Sequence, residues 1–239
     1  QSGHKLPSGY PEGRRMWINV KFFDASDAVI AEHGAYDDMT AELTTSDTKV
    51  YEMKLGLDAH ASALTGVPEG PSFHLTLANK VFKDNRIPPR GFTNANFEAI
   101  QSAPIGYSYD DGDFWDDTQF VIPKGAVRAE ARVRYQLTSK EYIEFLRDEN
   151  TTNTAGQDIY DQWVALGKSP VIDMDEGMIE IAPPCPADLT GDGNLDFFDV
   201  SAFLGAFSNM QPEADFTGDG LYNFFDVSAF LNAFSAGCP

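Results

Sequence analysis

Basic residues are scarce in this chain. Of its 239 residues, 17 are Lys or Arg and 37 are Asp or Glu, so the net charge is −20. A surface of this charge repels the phosphate groups of nucleic acids. The composition therefore argues against a DNA or RNA partner.

Long apolar runs are also missing. The chain has no run of about 18 apolar residues, so we expect no transmembrane segment. Gln1 is not followed by the charged and apolar regions of a secretory signal, and we interpret this start as a mature or processed end. The length suits one large domain and one small domain.

The last quarter of the chain differs in composition from the rest. From position 185 to the end there is no Lys or Arg, while eight residues are acidic and nine are Phe. The stretch "DLTGDGNLDFFDVSAFLGAF" at Asp188 is followed by "DFTGDGLYNFFDVSAFLNAF" at Asp215. The proline-rich "IEIAPPCPA" before them is typical of a linker. We therefore predict domains at 1–182 and 183–239.

Each repeat fits a twelve-position calcium loop. Alternate side chains and the carbonyl at position 7 supply oxygens, and glycine at position 6 permits the sharp turn. The predicted ligands of loop one are Asp188, Thr190, Asp192, Asn194, Asp196 and Asp199. Those of loop two are Asp215, Thr217, Asp219, Leu221, Asn223 and Asp226. Two matches in register favour two bound calcium ions over a pair of solvated turns.

Two departures from an EF-hand are informative. Position 12 is Asp rather than Glu, and prolines replace the incoming helix of the first loop. In this the repeats resemble the dockerin family, whose members carry two loop-helix calcium motifs and bind cohesin modules. The flanking "CP" and "GCP" resemble the variety found on secreted bacterial proteins. The resemblance implies a small all-α domain with near two-fold symmetry, whose helix faces recognise a protein partner in two orientations.

Apolar residues follow each loop at helical spacing, and we expect most of them to form the core between two helices. They are Val200, Phe203, Leu204 and Phe207, with Val227, Phe230, Leu231 and Phe234 in the second repeat. The pairs Phe197–Phe198 and Phe224–Phe225 either cap this core or form an exposed patch for a partner.

The two cysteines lie at the ends of this region. A bridge between Cys185 and Cys238 would stabilise the domain by roughly 4 kcal/mol in the chain-entropy model. A small core needs such support. Disulfides and millimolar calcium both belong to the extracellular space, so we predict a secreted or cell-surface protein.

The larger N-terminal region has strand-like patterning. "AVRAEARVRYQL" alternates between an apolar face and a charged face, and we predict further strands at 18–22, 50–57 and 73–82. Thr138 and Glu141 are typical of a capping box before a helix, and "GQDIYDQWVALG" predicts a second helix. We therefore expect a mainly β fold, an antiparallel β-sandwich with appended helices.

Three stretches here are similar to another family. "GHKLPSGYPEGRRMWINVKFFDA", "VFKDNRIPPRGF" and "AVRAEARVRYQLTSKEYIEFL" resemble the β-rich domain that follows the haem-binding part of some secreted multihaem cytochromes. The resemblance implies that the N-terminal region has the fold of that β-rich domain. The chain contains no CxxCH, so we expect no covalent haem within it.

No catalytic motif is present. The four His residues lack HExxH spacing, and no GxSxG or phosphate-binding loop occurs, although folding can still assemble a histidine-based site. The acidic stretch 110–117 is read mainly as solvated turns, with a further calcium ion or a sugar on Trp115 as alternatives. In "KDNRIPPRGF" we predict a buried pair between Asp84 and an arginine, which locks a long loop.

The leading hypothesis is a secreted, calcium-dependent structural or assembly protein. Its terminal module docks onto a protein partner, which is either another copy in a head-to-tail filament or a cohesin-like scaffold. One alternative is an enzyme or carbohydrate-binding module attached to a scaffold. Another is an accessory subunit of an extracellular multihaem electron-transfer complex.

Overall fold

The computed structural model describes residues 3–11, 13–181 and 185–237. The chain divides into two compact units, a body (Gln1–Ile179) and a terminal module (Glu180–Pro239). The predicted boundary between residues 182 and 183 lies outside the described residues. Among the described residues, no helix is long and apolar enough to cross a membrane.

The body contains both strands and helices. Its strands are β1 (Arg15–Phe23), β2 (Val29–His33), β3 (Tyr36–Asp37), β4 (Glu42–Leu43), β5 (Val50–Tyr51), β6 (Met53–Leu57), β7 (Gly70–Pro71), β8 (Lys80–Asp84), β9 (Arg128–Gln136) and β10 (Ile172–Glu180), the last residue of which falls in the module. Its helices are α1 (Ala59–Thr65), α2 (Asn94–Ala99), α3 (Lys140–Glu149) and α4 (Ala155–Ala165).

The described strands form three antiparallel sheets. The largest has the order β10-β9-β1-β2, and β5 also pairs with β1. A second sheet has the order β7-β6-β8, and β3 pairs with β4. The central strand β1 is almost continuously buried because it has neighbours on both sides, and Trp17 is fully buried.

The fold is mixed rather than mainly β. The described part of the chain contains ten strands and six α-helices, two of them in the module. Helices α1 and α2 were missed because each is short. Their signals are a side-chain cap at Asp58 and at Thr93, and a left-handed Gly66 after α1.

Two strand predictions were wrong in detail. The segment predicted at 50–57 is split at Glu52 into β5 and β6. The segment at 73–82 becomes a strand only at Lys80, because residues 74–78 form turns in which the N–H of Leu77 donates to the carbonyl of His74 at 3.0 Å. Hydrogen bonds within the turn thus replace strand pairing.

The alternation predicted for β9 also fails. Ala131 and Leu137 are exposed, whereas Gln136, assigned to the polar face, is fully buried. Gln136 accepts from Nε of Arg15 at 2.9 Å and donates to Tyr36 Oη at 2.8 Å. Satisfied hydrogen bonds allow a polar amide to occupy a core position.

Helices α3 and α4 form a small layer of their own. The N-cap of α3 is Ser139 rather than the predicted Thr138, and its hydroxyl accepts from the N–H of Tyr142. Helix α4 ends just before Gly167, which has a φ of 83°. Ile143 and Trp163 pack together with Ala41.

The predicted buried Asp–Arg pair is confirmed. Asp84 is 2% exposed and accepts from Nε and Nη2 of Arg86 at 2.8 and 2.9 Å. Lys5, also buried, donates to the same carboxylate at 2.7 Å and to the carbonyl of Ser102 at 2.6 Å. The cluster ties the N-terminal segment and the end of β8 together.

Replacing this carboxylate should destabilise the body strongly. In Asp84→Asn, the buried Lys5 and the partly buried Arg86 lose their counter-charge. We therefore expect a loss of about 3–5 kcal/mol in urea unfolding of the full chain, followed by tryptophan fluorescence. The control is Asp27→Asn. The Asp27 carboxylate is 79% exposed beside Arg128, so its replacement should cost under ~1 kcal/mol. Equal losses in the two variants would contradict this account.

The same carboxylate makes stability depend on pH. Burial raises the pKa of Asp84, but donation from Arg86 and Lys5 outweighs it and holds the pKa below its ordinary value of 3.8. The contribution of Asp84 is therefore full above that ordinary value and is lost as the pH falls through the folded-state pKa. We expect Asp84→Asn to lack this part of the acid-induced loss of stability, as measured by urea unfolding between about pH 5 and pH 2.

Candidate functional site

The terminal module is built from two matching loop-helix units. The first loop leads into α5 (Phe197–Ser208), and the second leads into α6 (Phe224–Ala236). A single 3₁₀ turn (Pro212–Ala214) precedes the second loop. The helices begin at equivalent positions of the two repeats.

Position 1 of each loop is an acceptor at the centre of the turn. In loop one, Oδ1 of Asp188 accepts from the N–H of Gly191 at 2.7 Å, and Oδ2 accepts from that of Gly193 at 2.8 Å. In loop two, Asp215 accepts from the N–H groups of Asp219 at 3.2 Å and Gly220 at 2.9 Å. The chain thus folds back around this carboxylate in both loops.

Glycine at position 6 has the conformation that this turn needs. Gly193 and Gly220 have φ values of 81° and 77°, in the left-handed region. A side chain there would be strained although no atom obstructs it. The glycines are therefore required by backbone conformation.

Position 12 joins each loop to its helix. Asp199 and Asp226 are fully buried, and each takes part in a capping box with the N-cap residue, Asp196 or Asn223. Oδ1 of Asp199 accepts from both N and Oγ1 of Thr190 at 3.0 Å. Thr217 makes the equivalent bonds to Asp226 at 3.0 and 2.9 Å. Each carboxylate therefore fixes both its loop and its helix start.

These donors keep the buried carboxyls ionised. The backbone N–H of Asp196, followed by that of Thr190, holds the pKa of Asp199 below its ordinary value. The N–H of Asn223 has the same effect on the pKa of Asp226 and outweighs the cost of burial. Each loop thus retains a buried negative charge.

Carboxylates converge in loop two. One oxygen from each of Asp215, Asp219 and Asp226 lies within 4.8 Å of the other two. Among the described residues, these three carboxylates are the acidic, His or Cys side chains that lie close enough together to hold one metal ion. The equivalent acids of loop one occupy the same places in the repeat, with Asp192 accepting from the N–H of Asn194 at 2.8 Å.

The other predicted ligands have distinct places. Asp196 and Asn223 cap their helices by accepting from the N–H groups of Phe198 and Phe225 at 2.7 and 2.8 Å. Leu221, where only the backbone carbonyl would serve, is exposed, as is Asn194 in loop one. In loop two, the three carboxylates that converge are therefore those at positions 1, 5 and 12.

The two helices meet through equivalent phenylalanines. Phe203 and Phe230 are each 1% exposed, and their rings stack at 4.1 Å with an interplanar angle of 2°. Ala187 and Ala214, also equivalent, are fully buried in the same core. Stacking of matching residues indicates an approximate two-fold relation between the units.

The Phe pairs before this core are exposed. Phe197 and Phe198 are 76% and 66% exposed, and Phe224 and Phe225 are 76% and 69% exposed. Most of the eight apolar helix residues belong to the core or pack against it, as predicted, but Leu204 and Leu231 do not, because they are 55% and 52% exposed. Each leucine lies seven residues after the first Phe, which is two helical turns and the same face. This spacing was the missed signal.

The cysteine pair is described only at one end. The sulfur of Cys185 belongs to a disulfide. Cys238 lies outside the described residues, so its pairing with Cys185 stays a prediction.

The acidic stretch of the body is used in internal contacts. Asp111 accepts from the N–H of Asn94 at 2.7 Å, and Asp113 accepts from that of Asp110 at 2.9 Å. Asp116 accepts from Lys49 and from Tyr51, both at 2.7 Å. These three carboxylates therefore serve turns and a hydrogen-bond network, while Trp115 remains half exposed.

Folding brings one histidine to a serine. Ser72 Oγ lies 2.8 Å from Nδ1 of His74, whose Nε2 is 3.7 Å from an exposed Glu149. The same hydroxyl accepts from the backbone N–H of His74 at 3.2 Å. A three-residue turn accounts for this contact.

The chain matches no family model and no curated protein sequence. Among solved structures, it is similar to the crystal structure of a penta-heme cytochrome c552 from Thermochromatium tepidum, with 15% identity and a TM-score of 0.43. The match covers 74% of this chain and 33% of that one, so the chain spans about a third of the cytochrome's length.

The stacked phenylalanines should dominate the stability of the module. Phe203→Ala removes a fully buried ring, and we expect it to cost about 3–5 kcal/mol. Leu204→Ala, one residue further on, is the matched control and should cost far less because its side chain is half exposed. Scanning calorimetry of the full chain measures both, and similar losses would contradict the assigned core.

Proposed function

We propose that this chain is a secreted assembly protein whose terminal module is folded by two calcium ions and docks onto a protein partner. The observation that carries the proposal is the convergence of Asp215, Asp219 and Asp226 in a module that contains no Lys or Arg. Like charges this close repel one another unless a cation is bound. Calcium prefers oxygen ligands in a flexible loop of this size.

The exposed Phe pairs support a docking role. Four phenylalanines are at least 66% exposed in a module of 60 residues, together with Leu204 and Leu231 on the same helix faces. Aromatic side chains on a surface are typical of the energetic centre of a protein interface. The module is dockerin-like in this proposal, and calcium holds the helix starts that present the rings.

The body serves as the cargo or as a structural element. We interpret its antiparallel sheets as sandwich-like, and its fold as that of the non-haem domain of multihaem cytochromes. The disulfide at Cys185 and the calcium sites support an extracellular or cell-surface location. The partner is a second copy of the chain, joined head to tail. If the calcium-bound chain is instead a monomer, the partner is a cohesin-like scaffold.

Calcium titration by calorimetry tests the metal sites. We expect the full chain to bind two ions, with loop one tighter than loop two, because loop one offers four Asp side chains and loop two offers three. Asp192→Ala and Asp219→Ala should each remove one binding event. Glu213→Ala, an exposed acid outside the loops, is the control. Absence of binding to the wild type would reject the proposed function.

Light scattering tests the docking role. We expect particle mass to grow with protein concentration in calcium and to fall again on addition of chelator. Phe197→Ser with Phe224→Ser should abolish growth while both ions still bind, because the rings lie outside the ligand set. A calcium-loaded wild type that stays monomeric at high concentration would overturn self-assembly.

A further inference from the structure

A cavity in the body has the size and chemistry of a socket. Its volume is about 320 Å³, at the small end of the range for sites that hold organic groups. Val50, Leu55 and Phe73 supply apolar wall, and Arg14, Arg15 and Lys54 supply positive charge. These residues come from the start of β1 and the residue before it, from β5 and β6, and from the segment after β7.

The charge around this cavity is opposite to that of the whole protein. Glu52 is shared by Lys83 at 2.9 Å and Lys54 at 3.2 Å. Glu141 lies 3.4 Å from Nη1 of Arg15. Arg14 donates to the carbonyl of Ser8, and within the described ranges no carboxylate pairs with it. Three basic groups of the lining, Arg14, Arg15 and Lys54, thus face two acidic ones, in a protein whose net charge is −20.

Arg15 adds an unused donor to the cavity wall. Its side chain is 6% exposed, Nε donates to Gln136, and the buried Nη2 has no hydrogen-bond partner. A buried donor without a partner is costly. An acidic group that enters the cavity would reduce this cost by its charge, and a small shift of the guanidinium would let it accept from Nη2.

The terminal module offers a complementary surface. Phe197 and Phe198 are exposed, and the residue before them, Asp196, is an exposed acid. In the second repeat the same place is taken by Asn223, which is neutral. A positively charged socket therefore favours the first Phe pair over the second.

We propose that this cavity is the socket for the Phe197–Phe198 pair of a second copy of the chain. The inference rests on the proposed docking function and names the surface that receives it. Plug and socket are different surfaces on each chain, so the contact is heterologous and builds an open row of subunits unless its rotation closes a ring. The apolar wall receives the rings, and Arg14 and Lys54 face the acidic module.

Three variants of the full chain test this in calcium. The socket variant is Arg14→Glu with Lys54→Glu, both chosen because neither side chain is buried. The plug variant is Phe197→Ser with Phe198→Ser. The matched control is Phe224→Ser with Phe225→Ser. Far-UV circular dichroism checks that each one folds, and analytical ultracentrifugation measures the assembled mass.

We expect the socket and plug variants to be monomeric alone, while the control grows as the wild type does. An equimolar mixture of the socket and plug variants should give a species of two chains and nothing larger. In that species, the intact socket of one chain holds the intact plug of the other.

Growth of the socket variant at wild-type level would overturn the socket while leaving the docking function in place. Loss of growth in the control, with growth retained in the plug variant, would overturn the choice of the first pair. A wild type that binds calcium and stays monomeric would reject self-assembly itself and return the module to a scaffold partner.

Discussion

Negative charge held in two short loops is the constraint on which the terminal module depends. Asp199 and Asp226 are buried, accept backbone hydrogen bonds at both the loop and the helix start, and have pKa values below the ordinary one. They cannot be neutralised by a basic side chain of the module, which has none. In the proposed function, the loops, the helix starts and the exposed rings beside them therefore share one dependence on a bound cation.

The body follows a different rule, in which polar groups are buried but paired. Gln136 is held by Arg15 and Tyr36, and Asp84 is held by Lys5 and Arg86. Such groups add little net stability. Loss of one partner is strongly destabilising, however, because the other polar group stays buried without compensation. A body with a positively charged cavity and a module with exposed rings suit the repeated assembly that we propose.

Sequence reasoning recovered what depends on local register. The left-handed glycines, the equivalent helix starts and the convergence of carboxylates in loop two follow from counting along each repeat, because they are properties of a twelve-residue loop. Sequence reasoning failed where packing between helices or strands decides which side chains are buried. Phe203 and Leu204 are adjacent and both fit helical apolar spacing, yet the contact between α5 and α6 buries only the phenylalanine.

The body shows the same limit. Burial of Gln136 depends on Tyr36, one hundred residues away in the chain, and the cavity joins residues 14 and 15 to residue 54 and to the turn at 71–75. No local pattern contains this information. The two helices α1 and α2 were missed for another reason, since helices of six or seven residues depend on caps rather than on periodicity.

Amide hydrogen exchange with calcium and then with chelator tests the central claim most directly. If calcium folds the module, the amides of α5 and α6 lose most of their protection in chelator, while those of β1 and β9 in the body keep theirs. Equal protection of α5 and α6 under both conditions would contradict the account.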